Sequence, residues 1–261
     1  MSFAFKIALI FGYINFFIIF LECLYSFYKK DKLYSLWGTI GNVCNGLIMR
    51  FISGKFVAFH LVYFTLWYAY LGYGQKNTGP IGFIYCLLLV DFIYYLFHRM
   101  HHSFSFLWMF HAVHHGDDKL NLSTAYRISW IEQFYLSIFF TPVVLIGFNP
   151  FDVITAFYLL SIYQFLCHSS YLKFPKYFDL VLVTPHNHSI HHDREIHHQN
   201  SNFGGVFSIW DRLFNTYTAH IDTFTPGIKG YHQDNFIKME TDPIVRYFRR
   251  SPSQVKDFPS K

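Results

Sequence analysis

Residues 91–102 read Asp-Phe-Ile-Tyr-Tyr-Leu-Phe-His-Arg-Met-His-His, and they place a group of histidines directly at the end of a long apolar run. Two further groups follow, His-Ala-Val-His-His at 111–115 and His-Ser-Ile-His-His at 188–192, with His168 between them. Thirteen of the sixteen histidines in the chain lie between positions 98 and 198. The fold must therefore bring clustered imidazoles together at the end of a hydrophobic stem.

The composition is typical of an integral membrane protein. Hydrophobic residues make up 52% of the 261 residues and charged residues only 14%, against about 25% charged residues in an ordinary soluble domain. Aromatic residues account for 22%, and a soluble protein could not bury that much apolar surface. The net charge of +5 suits an anionic membrane surface. The sequence contains no nucleic-acid-binding motif, so we expect no nucleic acid as a partner.

Apolar runs predict an all-α, polytopic membrane protein with about four to five transmembrane helices: three N-terminal spans and a helical hairpin. The predicted spans are 4–28, 56–75, 80–97, 131–148 and 151–167, of which the last two form the hairpin. The stretch 34–52 mixes apolar residues with asparagines, an arginine and three glycines. This stretch is predicted to be an interfacial or re-entrant helix.

We expect a single domain over residues 1–261, in which 1–75 forms membrane helices, 80–218 forms the catalytic region and 219–261 forms a peripheral C-terminal tail. The histidine groups must meet, so the span ends that carry them must lie on one side of the membrane. Most lysines and arginines fall on that same side. The positive-inside rule therefore predicts a cytoplasmic helical cap that carries the histidine-rich site.

The spacing within each group places the histidines on helical faces. His98 and His102 are four residues apart, and the other two groups each present imidazoles at i, i+3 and i+4. Imidazole binds Fe, Cu, Zn and Ni, and an octahedral ion takes six ligands. Eight or nine histidine ligands therefore imply two ions. The predicted ligands are His98, His102, His111, His114, His115, His168, His188, His191 and His192.

Other metal sites and other roles for histidine fit less well. Isolated histidines such as His60, His220 and His232 need no metal, and they receive no role here. A ferritin-like di-iron site needs two ExxH motifs and two further glutamates, whereas the chain offers only Glu195-x-x-His198. A membrane zinc hydrolase would use an HExxH motif, which is absent, and a metal transporter or sensor would place ligands at mid-bilayer. The histidine set therefore favours iron and O2 chemistry on a lipid.

The three histidine groups resemble the boxes of the fatty acid hydroxylase/sterol desaturase superfamily of membrane di-iron oxygenases, over about residues 30–218. Beside the boxes, the resemblance rests on Asn-Leu-Ser-Thr-Ala-Tyr-Arg at 121–127, Thr-Pro-x-x-His at 184–188 and Asn-Phe-Gly-Gly-Val at 202–206. Within the superfamily the chain is most similar to the alkylglycerol monooxygenase branch.

This resemblance implies a monooxygenase that uses two iron ions and O2 to hydroxylate an unactivated C–H of a membrane lipid, such as an alkylglycerol ether lipid. A lipid or sterol desaturase is the alternative. The resemblance also implies an external reductant, either tetrahydrobiopterin or a redox protein. The nine histidines match the ligand positions of the family, whereas His101 matches a position that can lack a ligand. Some relatives have a second histidine near His168, so a tenth ligand here would be a water, an asparagine or His186.

Metal-bound imidazoles usually donate their second N–H to a carboxylate or a carbonyl. The candidates for residues that support the ligands in this way are Asp91, Asn121, His186 and Asp211. Asp91 lies inside an apolar span, where a carboxylate needs a partner. Asp211 either supports the site or caps a helix, and Asn121 is expected to brace the loop after the second histidine group.

Overall fold

The computed structural model describes residues 3–71 and 79–249, which are helical and form no β-sheet. The predicted all-α class is therefore confirmed for these residues. Two 3-10 helices cover Leu122–Tyr126 and Lys176–Leu180. The α-helices are α1 (Phe3–Lys29), α2 (Leu36–Leu71), α3 (Gly79–Ser103), α4 (Ser105–His115), α5 (Glu132–Leu145), α6 (Pro150–Cys167), α7 (Pro185–His191), α8 (Ile196–Gln199), α9 (Ile209–Leu213) and α10 (Phe236–Phe248).

Two of the described helices, α3 and α6, are long and apolar enough to cross a membrane. They correspond to the predicted spans 80–97 and 151–167. Helix α5 is also apolar, but its 14 residues reach only about 21 Å. Side chains of α3, α5 and α6 contribute to one apolar core, in which Val90, Val143 and Ala156 are fully buried. The expected 56–75 span extends partly beyond the described residues.

The sequence predicted a separate interfacial or re-entrant helix at residues 34–52, and the structure does not contain one. Most of this stretch is the first half of α2, which has 36 residues and is about 54 Å long. Two asparagines of this half bind the helical cap, the part of the fold that carries the histidines, instead of facing solvent. Asn42 Nδ2 donates to Asp117 Oδ2 at 2.8 Å, and Asn45 Nδ2 donates to the carbonyl of Tyr126 at 3.0 Å. Helix α2 is therefore continuous because folded protein satisfies its polar groups.

Glycines in α2 let other segments approach its backbone closely. A Cβ at Gly41 would lie 2.1 Å from the main-chain oxygen of Asp234, which precedes α10. A Cβ at Gly46 would lie 2.4 Å from the ring of Tyr126, in the first 3-10 helix. Both contacts require glycine, so these residues allow the cap to dock directly on α2.

The C-terminal segment, which we expected to be a peripheral tail, carries several buried side chains. Tyr231 and Met239 are buried. Glu240 Oε2 accepts hydrogen bonds from Ser129 Oγ and from the main-chain N–H of Trp130, both at 3.0 Å. The part of this segment that includes α10 therefore belongs to the packed cap.

The Gly41→Ala variant should unfold at a lower temperature than the wild type, because the added methyl group meets a main-chain oxygen that cannot move alone. We expect a loss of about 1–3 kcal/mol. The matched control is Gly38→Ala, where the new methyl group meets only side-chain atoms of Ser35 and Asp234. These side chains can rotate away, at the cost of the hydrogen bond from the Gly38 N–H to Ser35 Oγ, and alanine favours helices by about 0.5–1 kcal/mol, so this control should lose less stability than Gly41→Ala. Equal melting temperatures of the two variants in detergent would contradict the close docking of α10.

Candidate metal centre

The ends of four helices bring the nine predicted histidines together in two groups. Within each group, one candidate ligand atom per residue lies within 4.8 Å of the others. Helices α3 and α4 supply five of the nine, His168 follows the last residue of α6, and α7 with its C-cap supplies three. The first group is His98, His102, His111, His115 and His191, and the second is His114, His168, His188 and His192.

Local capping sets the position of α7, which is only seven residues long. Thr184 is its N-cap and forms a capping box with Asn187, and Pro185 occupies the first helical position. The helix therefore begins at a defined residue. His188, His191 and the C-cap residue His192 then lie on one face within the following two turns.

Burial keeps the imidazoles of the cluster neutral. Desolvation lowers the pKa of His111 and His191 to about 3 and the pKa of His168 to about 4. Burial also lowers the pKa of His114 well below its usual range. Neutral imidazole is the form that binds metal ions, so these histidines are ready ligands at neutral pH.

The hydrogen bonds of the second group show where its nitrogen lone pairs point. His168 Nδ1 lies 2.7 Å from the carbonyl of Gln164, and His114 Nδ1 lies 3.1 Å from the carbonyl of Arg127. A carbonyl only accepts, so each Nδ1 carries the proton and each Nε2 carries a lone pair. The two Nε2 atoms nevertheless lie 3.2 Å apart. Two lone pairs repel at this distance, and a cation between them would remove the repulsion.

The first group has the same arrangement. His98 Nδ1 donates to the carbonyl of Phe203 at 3.0 Å, which turns its Nε2 lone pair toward His111 Nε2, also 3.0 Å away. Both ring nitrogens of His102 and of His115 are buried without a hydrogen-bond partner. Buried polar nitrogens normally have partners. The unpaired nitrogens therefore indicate a missing partner that accepts lone pairs.

The spacing of the nitrogens fits a metal ion. Imidazole nitrogens bind a zinc ion at about 2.0–2.1 Å, so two ligands at right angles around such an ion lie about 3.0 Å apart. The Nε2 atom of His188 lies 3.1 Å from the Nε2 atom of His168 and 3.1 Å from that of His192. The donor set and its spacing therefore fit two transition-metal ions, one in each group.

Two predicted supporting carboxylates act on the ligands through a loop. Asp91 accepts hydrogen bonds from the N–H of Val206 (2.6 Å) and from Trp210 Nε1 (2.7 Å). Asp211 accepts from the N–H of Phe203 and of Gly204, both at 2.8 Å. The carbonyl of Phe203 in turn accepts the Nδ1 proton of His98. Both carboxylates thus hold the loop that orients His98.

The alternative prediction that Asp211 is a helix N-cap is wrong, because this residue lies inside α9 and Ser208 is the N-cap. Asn121 caps the first 3-10 helix, accepting from Ser123 N at 3.0 Å, and it has no hydrogen bond to a histidine. His186 stacks on His220, with ring centroids 3.9 Å apart, and belongs to neither group. His186 is therefore not placed to be a tenth ligand.

His101 lies next to the cluster without joining either group. Its Nδ1 donates to the carbonyl of Phe97 at 2.8 Å, and its Nε2 lies 2.7 Å from the hydroxyl of Tyr135. Both nitrogens of this buried side chain are therefore satisfied by protein. The exclusion of His101 from the predicted ligands agrees with this placement.

Sequence reasoning missed Glu132 and the backbone carbonyls that orient the ligands. Glu132 is buried, and its Oε1 lies 3.6 Å from His111 Nδ1. Within the described parts of the chain, it is the only carboxylate this close to one of the nine histidines. The sequence signal was an acidic residue at the start of an apolar run. The carbonyls leave no sequence signal, since every residue has one.

A cavity of about 320 Å³ opens onto both groups. Four histidines line one end: His98, His111, His114 and His168. Apolar side chains of α2, α5 and α6 line most of the remainder, including Phe64, Phe140, Ile154 and Leu160. The four candidate ligands therefore line a cavity whose other walls are mostly apolar and suit a hydrocarbon chain.

The Asp211→Asn variant should loosen the loop that orients His98, because an amide has one acceptor oxygen where the carboxylate has two. Loss of a supporting group of this kind weakens metal binding by about 10–100-fold. The expected result is a correspondingly higher dissociation constant in a chelator competition titration. Asp222→Asn is the control, because the side chain of Asp222 is 99% exposed. Unchanged metal affinity in Asp211→Asn would show that the loop does not orient the ligand.

The comparisons with known proteins agree with this geometry. Alkylglycerol monooxygenase from Caenorhabditis elegans is 32% identical over 81% of this chain, and the Homo sapiens enzyme is 33% identical over 80% of it. The chain spans 41% and 47% of the lengths of these two relatives. Cholesterol 25-hydroxylase from Homo sapiens is 33% identical over 51% of the chain and is spanned over 50% of its own length. No solved structure matches the chain.

The family model described as "Fatty acid hydroxylase" matches residues 83–216, which include all nine clustered histidines and both supporting carboxylates. This match covers about half of the chain. The chain therefore belongs to the fatty acid hydroxylase family.

Proposed function

We propose that this protein is an integral membrane monooxygenase that uses O2 to hydroxylate an unactivated C–H of a lipid. The observation that carries this proposal is the opening of an apolar cavity onto both histidine groups. A hydrocarbon chain in this cavity would reach the metal centre without passing through water. The membership in the fatty acid hydroxylase family supports the same reaction class.

The proposed cofactor is a pair of iron ions held by the nine histidines. When bound, these ions supply the reduction of O2 and the oxidation of the C–H bond. The protein residues have other tasks. The carbonyls of Phe203, Gln164 and Arg127 hold ligand imidazoles in one tautomer, and the apolar cavity wall excludes water from the reacting carbon.

We propose a membrane lipid, O2 and an external electron donor as partners. An alkylglycerol ether lipid is the proposed substrate, because relatives that match 80–81% of this chain are named alkylglycerol monooxygenases. Hydroxylation is favoured over desaturation, since the names of the matched relatives specify hydroxylases or monooxygenases. The proposed electron donor is tetrahydrobiopterin or a redox protein.

We propose a multi-pass topology with the metal centre on the cytoplasmic face. Helices α1, α3 and α6 all end on the side of the histidines, and a hydrogen bond from Ser169 Oγ to Glu22 links the end of α6 to α1. Lysines cluster near these ends, as the positive-inside rule requires of a cytoplasmic face. They include Lys29, Lys30, Lys32, Lys119, Lys173 and Lys176.

The number of bound iron ions tests the ligand assignment. The purified wild-type protein should contain two iron ions per chain by elemental mass spectrometry. His191→Ala should bind fewer, because it removes one of the five ligands of the first group. His101→Gln is the matched control, since His101 is equally buried but lies outside both groups. Two irons retained in His191→Ala would remove His191 from the ligand set.

The product formed from a hexadecyl glycerol ether in liposomes tests the reaction class. Hydroxylation next to the ether oxygen gives a hemiacetal, which collapses to hexadecanal and glycerol, so the expected product is an O2-dependent aldehyde. Desaturation would instead give an alkenyl ether, and hydrolysis at a zinc site would give hexadecanol without O2. His114→Ala should reduce aldehyde formation to background. Product that persists without O2 would refute the proposed monooxygenase.

A further inference from the structure

Asn15 is a polar side chain in an otherwise apolar part of α1. It lines the cavity that opens onto the histidines. Its side chain belongs to a residue only 9% exposed, and its Oδ1 is buried without a hydrogen-bond partner among the described residues. A buried amide oxygen in this state is costly within a membrane protein. Asn15 therefore has a capacity for hydrogen bonding that the folded chain does not use.

Two other polar side chains of the apolar helices form hydrogen bonds within the protein. Asn42 in α2 donates to Asp117 and accepts from Arg127 through its Oδ1 at 3.2 Å. Ser161 lines the same cavity as Asn15, but its hydroxyl donates to the carbonyl of Phe157 at 2.8 Å within its own helix. Asn15 differs from Asn42 because its buried amide oxygen has no donor.

Asn15 lies about two helical turns before Glu22, which marks the part of α1 next to the histidines. Glu22, seven residues further along α1, accepts a hydrogen bond from Ser169, which directly follows His168. Seven helical residues correspond to about 10 Å. The asparagine side chain, one hydrogen bond and a few bonds of a bound lipid would span this separation, so a group held by Asn15 could place a nearby carbon at the histidines.

We infer that Asn15 is a substrate-binding residue that recognises a hydroxyl group of the lipid in the cavity. Its Oδ1 needs a donor, and a lipid hydroxyl supplies one, whereas an ether, an ester or a hydrocarbon does not. The Nδ2 group can donate to a second oxygen of the same lipid. This assignment rests on the proposed function, and it names Asn15 as the residue that distinguishes lipids with a free hydroxyl near the oxidised carbon from lipids without one.

Lipid binding, measured without turnover, tests the assignment. The probes are a hexadecyl glycerol ether with both hydroxyls free and its di-O-methyl analogue. Both are titrated into the purified, iron-loaded protein in detergent and followed by native mass spectrometry. The wild type should bind the free-hydroxyl lipid at least about tenfold more tightly, because the analogue leaves the amide oxygen unpaired.

Asn15→Leu should abolish this preference by weakening only the binding of the free-hydroxyl lipid, and Asn15→Ala should do the same with a smaller side chain. Ser26→Ala is the matched control, and it should keep the wild-type preference, since Ser26 is a buried polar residue of the same helix that donates to Asp31 and does not line the cavity. Equal binding of the two lipids by the wild type would overturn the assignment. An equal loss for both lipids in the two Asn15 variants would also overturn it, because it indicates a structural role.

The outcome for Asn15 is separable from the outcome for the proposed reaction. If the wild type discriminates between the two lipids and the Asn15 variants do not, the assignment holds even when neither lipid is oxidised. In that case only the proposed monooxygenase activity would fail.

Discussion

The buried histidines direct their nitrogen lone pairs toward two points in the cap. Backbone carbonyls take the Nδ1 protons of His98, His114 and His168, so their Nε2 atoms cannot donate to one another. Burial at the same time disfavours the charged imidazolium that would supply a second proton. A metal cation at each point would remove the repulsion between these lone pairs, so the histidine cluster fits a dimetal site.

Much of the cap serves to hold these lone pairs in place. The loop that offers its carbonyl to His98 is itself held by Asp91 from one side and by Asp211 from the other. At Gly205 in this loop, a Cβ would lie 2.6 Å from Asp91 Oδ1, so only glycine allows the carboxylate to reach the neighbouring N–H groups. Residues 203–211 therefore form a support behind the ligand candidate His98.

The boundary between the apolar helices and the polar cap determines what the centre can act on. The cavity begins at the histidines and continues between membrane-type helices, so a lipid chain is a better match than a soluble metabolite. Along the cavity wall, Glu132 lies beside His111 and Asn15 lies further into α1. These polar groups interrupt an apolar surface at two depths, and a bound lipid would have to match both.

The sequence by itself determined the all-helical class, the two clearest apolar helices and the nine histidines that cluster. These features follow from helical periodicity and from the length of apolar runs, which are local properties of the chain. Three features depend on which segments meet in the folded chain, and only the structure shows them. They are the continuity of α2, whose asparagines bind the cap, the carbonyl partners of the ligand histidines, and the hydrogen bonds by which Asp211 holds the loop. A polar residue bound to protein and one facing solvent have the same local pattern, so only the packed fold distinguishes them.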